Sequence, residues 1–207
     1  MKGFLITFEG IDGSGKTTQA ELLYKYLINQ GYIVQLLREP GGTLIGERIR
    51  SILLDSSLTE MKPYTELFLY LAARVQICFQ HISPALDRGE IVVMDRFFDS
   101  STAYQGFARG LGSETVEYLN SIATGGIIPD VTFFIDCDPE IALARISAYP
   151  DRLESEGITF MSRVRDGFLK LCALHSTRFI RINGELSIPD MQALIVNEVL
   201  ERFSIKL

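Results

Sequence analysis

Short apolar runs alternate along this chain with stretches in which apolar residues recur every three to four positions. Unbroken or period-two hydrophobicity between turn residues reads as a strand, and a period near 3.6 reads as a helix. Strands are predicted near 3–9, 32–37, 91–95, 131–136 and 178–182. A helix is predicted over 15–29, where Ala20, Leu23 and Leu27 share one face and Gly31 supplies the stop. A longer one is predicted over 64–80, with a kink before Pro84, and others over 157–175 and from about Pro189 onward. Asp138-Pro139-Glu140 is a helix-start signal, with Asp138 as cap and Pro139 in the first turn. Strands alternating with helices predict an α/β fold: a five-stranded parallel sheet with helices on both faces, in three layers. The chain shows no internal repeat, low-complexity tract or linker, so residues 1–207 are expected to form a single domain. The polar, turn-rich segment at about 146–157 is expected to be a mobile lid.

Composition narrows the setting. At 207 residues and 47% apolar content, the chain can bury a sizeable core. No apolar run is long enough to span a bilayer, and Met1-Lys2 leads straight into a strand rather than a signal peptide, so no membrane partner is expected. The net charge of −6 argues against nucleic acid as a partner. Cys78, Cys137 and Cys172 are widely spaced and form no C-x-x-C pair, which suits free thiols in a reducing cytoplasm. His81 and His175 are the only histidines, so a histidine metal site is not expected.

The most informative chemistry lies near the start. Gly10-Ile11-Asp12-Gly13-Ser14-Gly15-Lys16-Thr17-Thr18 completes the pattern G-x-x-x-x-G-K-[ST]. The apolar run Phe4-Leu5-Ile6-Thr7-Phe8 precedes it and a helical pattern follows, which is the context of a phosphate cradle and of the P-loop NTPase fold. Gly10, Gly13 and Gly15 let the loop curl so that its N–H groups, with those of Ser14 and Thr18, face phosphates at the positive end of the next helix. Lys16 can reach the terminal phosphates of a nucleoside triphosphate, and the Thr17 hydroxyl can ligate Mg²⁺. Ile91-Val92-Val93-Met94-Asp95 reads as a buried strand ending in an acid. Asp95 then sits where parallel sheets bind ligands and can hold Mg²⁺, directly or through water.

The destination of the phosphoryl group is read from arginines. Arg38, Arg50, Arg74 and Arg96 fall in stretches that should rim the carboxyl edge of the sheet, and arginine suits bidentate phosphate contact. No N-K-x-D base reader is present, which argues against a GTPase switch. A second, phosphorylated substrate is therefore expected. Four blocks then resemble the bacterial-type thymidylate kinase family: Phe8-Glu9-Gly10, Arg38-Glu39-Pro40-Gly41-Gly42-Thr43, Ala72-Ala73-Arg74-Val75-Gln76, and Asp95-Arg96-Phe97 with Ser100-Ser101-Thr102-Ala103-Tyr104-Gln105-Gly106. The resemblance covers the chain to about Arg165, with matching spacing between blocks.

That resemblance implies transfer of the γ-phosphoryl of ATP to dTMP with Mg²⁺, a step in dTTP synthesis, by a homodimer. By position it implies that Asp12 accepts from the sugar 3′-hydroxyl and orients the donor. Tyr70 would stack on thymine, where the family more often has Phe, and Arg74 would hydrogen-bond the base. Arg38, Arg50 and Arg96 would surround the dTMP phosphate. Ser101 and Gln105 would lie along the base, and Tyr104 would press where a ribose carries its 2′-hydroxyl. Gly13 occupies the cradle position that is basic in some members, so the catalytic arginine is expected in the lid. Arg145 and Arg152 are its candidates, and Arg152 is favoured because Asp151-Arg152-Leu153-Glu154 matches the family's lid edge. Asn183-Gly184-Glu185 is a candidate for the adenine pocket by location. The rivals are a deoxynucleoside kinase using Glu39 as base, and a regulatory nucleotide-binding module.

Overall fold

The structure is a computed structural model and describes residues 3–146 and 152–203. Five parallel strands form one sheet in the order β2-β3-β1-β4-β5: β1 (Phe4–Glu9), β2 (Val34–Arg38), β3 (Ile91–Asp95), β4 (Val131–Asp136) and β5 (Phe179–Asn183). The expected strands are all present, and their ends differ by at most two residues from those expected. Strand β1 is central, with β3 on one side and β4 on the other. Consecutive strands therefore leave β1 in opposite directions, and a crevice opens past its carboxyl end, where ligands bind in such sheets. Register puts Phe8 and Arg38 both opposite Asp95, so the ends of β1, β2 and β3 meet at one place.

Side chains along β1 alternate between the two faces, as the period of a strand requires. Ile6 and Phe8 pack with Leu23, Leu27, Val93, Phe133 and Ile195 beneath α1 (Lys16–Asn29) and α9 (Ile188–Phe203). Leu5 packs on the opposite face with Val92, Met94 and Phe97. Thr7 and Glu9 follow Leu5 on that second face, and both are fully buried. Thr7 meets Thr132 of β4 through a hydroxyl pair at 2.8 Å. Glu9 lies where an apolar residue would be expected, and its partners are part of the site below.

The remaining helices are α2 (Leu44–Leu54), α3 (Pro63–Ile77), α4 (Ser83–Asp87), α5 (Phe98–Ser101), α6 (Ser113–Thr124), α7 (Pro139–Ala144) and α8 (Ile158–Leu174). Asp138 caps α7 as expected, accepting from the Glu140 N–H at 2.9 Å. The long helix expected over 64–80 runs as α3 and then widens into a π-helical turn, Cys78–Ile82, before α4. Pro84 lies in the first turn of α4, directly after the π-helical turn, and has no backbone N–H to donate there. A second π-helical stretch, Thr102–Ala108, follows α5 and turns Tyr104 and Gln105 inward. Neither α2 nor the helices between 98 and 124 were among the expected elements. Thr43 caps α2 with a side chain that accepts from Gly46 N–H. The segment 147–151 of the expected lid lies outside the described residues. Cys78, Cys137 and Cys172 are free thiols.

Candidate active site

The loop from Gly10 to Gly15 carries the chain from β1 into α1. Gly13 has φ of 77°, and a Cβ there would collide with the Ala142 carbonyl oxygen. Only glycine combines that backbone angle with that approach. Lys16, the first residue of α1, is nearly buried. Its Nζ donates to the Ile11 carbonyl at 3.3 Å and to Asp12 Oδ1 at 3.2 Å. Thr17 Oγ1 donates to Asp95 Oδ2 at 2.6 Å, while Asp95 Oδ1 is buried without a hydrogen-bond partner. A hydroxyl beside a carboxylate with one unsatisfied oxygen is a donor set that suits a hard divalent cation such as Mg²⁺. Gly13, Gly15, Lys16, Thr17 and Thr18 line an open cavity. Its far wall is Gly184, Leu186, Ser187, Ile188 and Met191, and Arg145 closes one side. Of the expected stretch 183–185, Gly184 lies on this wall, and the apolar residues after it form most of the rest.

A second, smaller cavity lies on the other side of Asp12. Asp12, Arg50, Tyr70, Arg96, Ser101, Tyr104 and Gln105 all line it, as do Glu39 and Ser100. Arg96 is the hub. Its backbone takes φ of 67°, a left-handed conformation that non-glycine residues rarely adopt. Such a residue carries of order 1–3 kcal/mol of strain and persists only where its surroundings fix it. They do so here: Nη1 donates to the Gly10 carbonyl at 2.8 Å and to Ser100 Oγ at 3.0 Å, and Nη2 donates to Asp12 Oδ1 at 2.7 Å. The guanidinium also lies over the Tyr104 ring, 5.3 Å from its centre. Asp12 is thus shared by Lys16 and Arg96. Burial works to raise its pKa, but the two cations outweigh burial and hold the carboxyl well below the usual range.

Arg74 stands behind this cavity rather than on its surface. It is buried, and its five N–H groups are all accepted by protein. Nε and Nη2 go to Glu39 Oε2 at 2.9 and 2.6 Å, Nη1 to Ser101 Oγ and Asn120 Oδ1, and Nη2 also to the Phe97 carbonyl. A base acceptor would have to share one of these donors. Burial pushes the Glu39 carboxyl up, against the pull of Arg74. Arg38 also departs from its expected place. Its guanidinium forks onto Glu47 at 2.9 Å and reaches the Pro40 carbonyl, and it lines a separate cleft beside Thr17 and Asp95. Arg50 reaches the same Pro40 carbonyl at 3.1 Å but stays on the wall of the second cavity.

The two lid candidates part company. Arg145 lies at the cradle, with Nη1 donating to the Gly184 carbonyl at 3.1 Å and to the Gly13 carbonyl at 3.4 Å. Arg152 points the other way, with Nε on the Leu53 carbonyl at 2.9 Å and Nη2 paired with Glu66 at 2.6 Å. The expectation that Arg152 reaches the donor phosphates is therefore not met in this arrangement, because buried Glu66 attracts it to α3. Glu66 also accepts from Gln105 at 2.8 Å and from Arg109, so it orients a residue of the second cavity.

Sequence reasoning missed three acids that hold this site together: Glu9, Glu66 and Glu39 in its pairing with Arg74. A signal for Glu66 existed, since it precedes Tyr70 by four residues and Arg74 by eight, on one helical face. Glu9 was detectable as a charge at an inward position of an apolar strand.

Comparison with known proteins agrees with this geometry. The family model described as Thymidylate kinase matches residues 8–195. A protein named thymidylate kinase from Thermoanaerobacter sp. strain X514 is 51% identical over 185 residues, covering 89% of this chain and 91% of that one. One of the same name from Caldanaerobacter subterraneus subsp. tengcongensis is 47% identical over 202 residues, covering 97% of each. The crystal structure of thymidylate kinase from Ehrlichia chaffeensis superposes with a TM-score of 0.79 at 33% identity, covering 96% of this chain and 99% of that one.

Proposed function

This chain belongs to the thymidylate kinase family, and we propose that it moves the γ-phosphoryl group of ATP onto dTMP across the wall its two cavities share, giving ADP and dTDP. One observation carries the reading. Lys16 on the cradle side and Arg96 on the other side both bond a single oxygen, Asp12 Oδ1, at 3.2 and 2.7 Å. Two cations gathered on one atom between two cavities are poised to receive two phosphates that would otherwise repel each other.

A phosphate oxygen of dTMP is already deprotonated at pH 7, so transfer needs no general base. It needs alignment and charge neutralisation. Gly10, Gly13, Ser14, Gly15 and Thr18 cradle the ATP phosphates, and Lys16 meets the terminal ones. Thr17 and Asp95 would hold Mg²⁺, which would supply charge neutralisation to the donor phosphates. Arg50 and Arg96 receive the dTMP phosphate, and Arg38 joins them if it leaves Glu47. Tyr70 stacks on thymine, Ser101 and Gln105 lie along its edge, and Arg74 shares a donor with it. Tyr104 presses on the sugar, with Asp12 accepting from the 3′-hydroxyl. Arg145 covers the cradle on the donor side. The whole chain acts as one domain, and its three free thiols suit a reducing cytoplasm.

The deoxynucleoside-kinase reading would need Glu39 as base, and Glu39 is instead paired with buried Arg74. A coupled ADP-release assay across dTMP, dUMP, thymidine and other monophosphates tests the choice. ADP should appear with dTMP, and about 10–200-fold less efficiently with dUMP, because the 5-methyl group is one small apolar contact. Turnover with thymidine but not dTMP would reject the reading.

A homodimer is supported by one surface. Tyr64, Phe68, Val75 and Phe79 form an exposed stripe along α3 and the turn after it, beside exposed Tyr118 and Ile122 of the neighbouring α6. Contiguous apolar surface of this kind marks a protein interface. Sedimentation should report twice the chain mass, and a monomer at micromolar concentration would remove the proposal.

A further inference from the structure

Glu9 touches neither cavity, yet it is a fully buried acid at the carboxyl end of the central strand. Its Oε1 accepts from the Phe97 N–H at 2.8 Å and from the Ser100 N–H at 3.3 Å. Its Oε2 lies 2.5 Å from Ser100 Oγ. Ser100 Oγ in turn accepts from Arg96 Nη1 at 3.0 Å. The residue after Glu9, Gly10, takes the same guanidinium nitrogen on its carbonyl at 2.8 Å. The Arg96 backbone is anchored as well, its N–H donating to the Phe8 carbonyl at 2.9 Å.

We infer that Glu9 is a positioning residue for the reaction: through the Phe97 and Ser100 amides and the Ser100 hydroxyl, it locks the left-handed turn at Arg96 and aims the guanidinium at the junction of the two cavities. The inference deepens the reading above and rests on it. Three facts support it. Arg96 has an unfavourable backbone angle that something must enforce, and Glu9 grips the chain on its far side, at residues 97 and 100. The link from acid to hydroxyl to guanidinium is continuous, with no gap longer than 3.0 Å. A buried acid is costly to retain, and an apolar residue would fill this position of β1 more stably unless the acid served a purpose. The charged groups that face Glu9 are Arg96 and Asp99, and Asp99 is itself forked onto Arg178 at 2.7 Å. Burial first, and then the Asp99 charge, push the Glu9 carboxyl up to about 8, against the lowering by Ser100, Arg96 and the Phe97 amide. Both oxygens are committed to this loop by the hydrogen bonds they make, and burial keeps them from solvent.

Glu9→Gln tests the idea with little change of shape. The glutamine oxygen can still take the two amide N–H groups. Its NH₂ brings two hydrogens to an end where the raised carboxyl carries at most one, and the neighbour there, Ser100 Oγ, already accepts from Arg96. The grip on Arg96 should loosen. In the ADP-release assay, kcat/KM for dTMP should fall about 10²-fold, the order expected when a charged group is misplaced by about 1 Å. KM for ATP should stay within about twofold, because no cradle contact passes through Glu9. Ser100→Ala cuts the same link without touching the acid and should give a smaller loss in the same direction. The double variant should be no worse than Glu9→Gln alone, since both act through one path. A merely structural role predicts something else: lost active protein, a lowered melting midpoint, and both KM values unchanged. Glu9→Gln with unmodified kinetics overturns the inference, as does a double variant whose losses add. Should Glu9→Gln fail to fold, Glu9→Asp decides, since Ser100 itself lines the acceptor cavity: the shorter acid draws back from residues 97 and 100, so a dTMP-side loss with KM for ATP held supports the link, and unmodified kinetics refute it. An unmodified chain that makes no ADP from dTMP and ATP sinks both this inference and the reading beneath it.

Discussion

Lys16→Ala is expected to lower turnover about 10³-fold while leaving the fold intact, the scale seen when one donor to developing charge is removed. The size of the effect follows from what the ammonium faces. Its Nζ is fixed by the Ile11 carbonyl and Asp12 Oδ1, at the mouth of the cradle and beside the wall of the acceptor cavity. Water in the vacated space would supply dipoles that must reorganise as charge shifts, where a fixed cation does not. Stability should survive because the change leaves no buried charge alone. Asp12 keeps Arg96 at 2.7 Å, and the Lys16 stem touches a loop already shaped by glycines. ADP release under saturating ATP and dTMP, read beside a thermal melt, checks both halves. Near-normal turnover with an intact melt would remove Lys16 from the chemistry.

How much of this was legible beforehand depends on how local the cause is. The five strands were, because each is a short run rich in apolar residues and bounded by polar or turn residues. The cradle was, because glycine spacing and a lysine before a helix form one local motif. The helices α2, α5 and α6 were not. The helix α5 has only four residues, too few for a periodic pattern, and α6 puts the apolar Tyr118 and Ile122 on its exposed side, which blurs its core face. The site splits along the same line. Thr17 and Asp95 meet at 2.6 Å, as two motifs at the carboxyl ends of the neighbouring strands β1 and β3 should. Arg38 and Arg74 lie in the right loops and helices, but an arginine's direction is set by its acid. Glu47 turns one away from the cavity, and Glu39 holds the other behind the wall. Arg152 shows the same effect at longer range, drawn by Glu66 across 86 positions of sequence. Pairings at such separations leave no mark in a local window.

The Arg96→Lys variant should lose about 10³-fold in kcat/KM for dTMP, the lower end of what a catalytic arginine contributes to phosphoryl transfer. That corresponds to about 4 kcal/mol of transition-state stabilisation. Charge is conserved in this change, so the loss must come from geometry. The guanidinium serves Gly10 and Ser100 with one nitrogen and Asp12 with the other, and its plane covers the Tyr104 ring. An ammonium is a single point that cannot fork between the cradle loop, the Ser100 turn and Asp12. A second consequence separates this from simple loss of affinity. Asp12 Oδ1 is shared, with Lys16 at 3.2 Å and Arg96 at 2.7 Å. When the shorter partner weakens, the carboxylate is free to move onto Lys16 and occupy the ammonium that the donor phosphate needs. kcat should therefore fall along with the rise in KM for dTMP, even at saturating dTMP, while KM for ATP rises only slightly. A variant whose whole defect disappeared at high dTMP would mean that Arg96 holds the acceptor and does nothing for transfer.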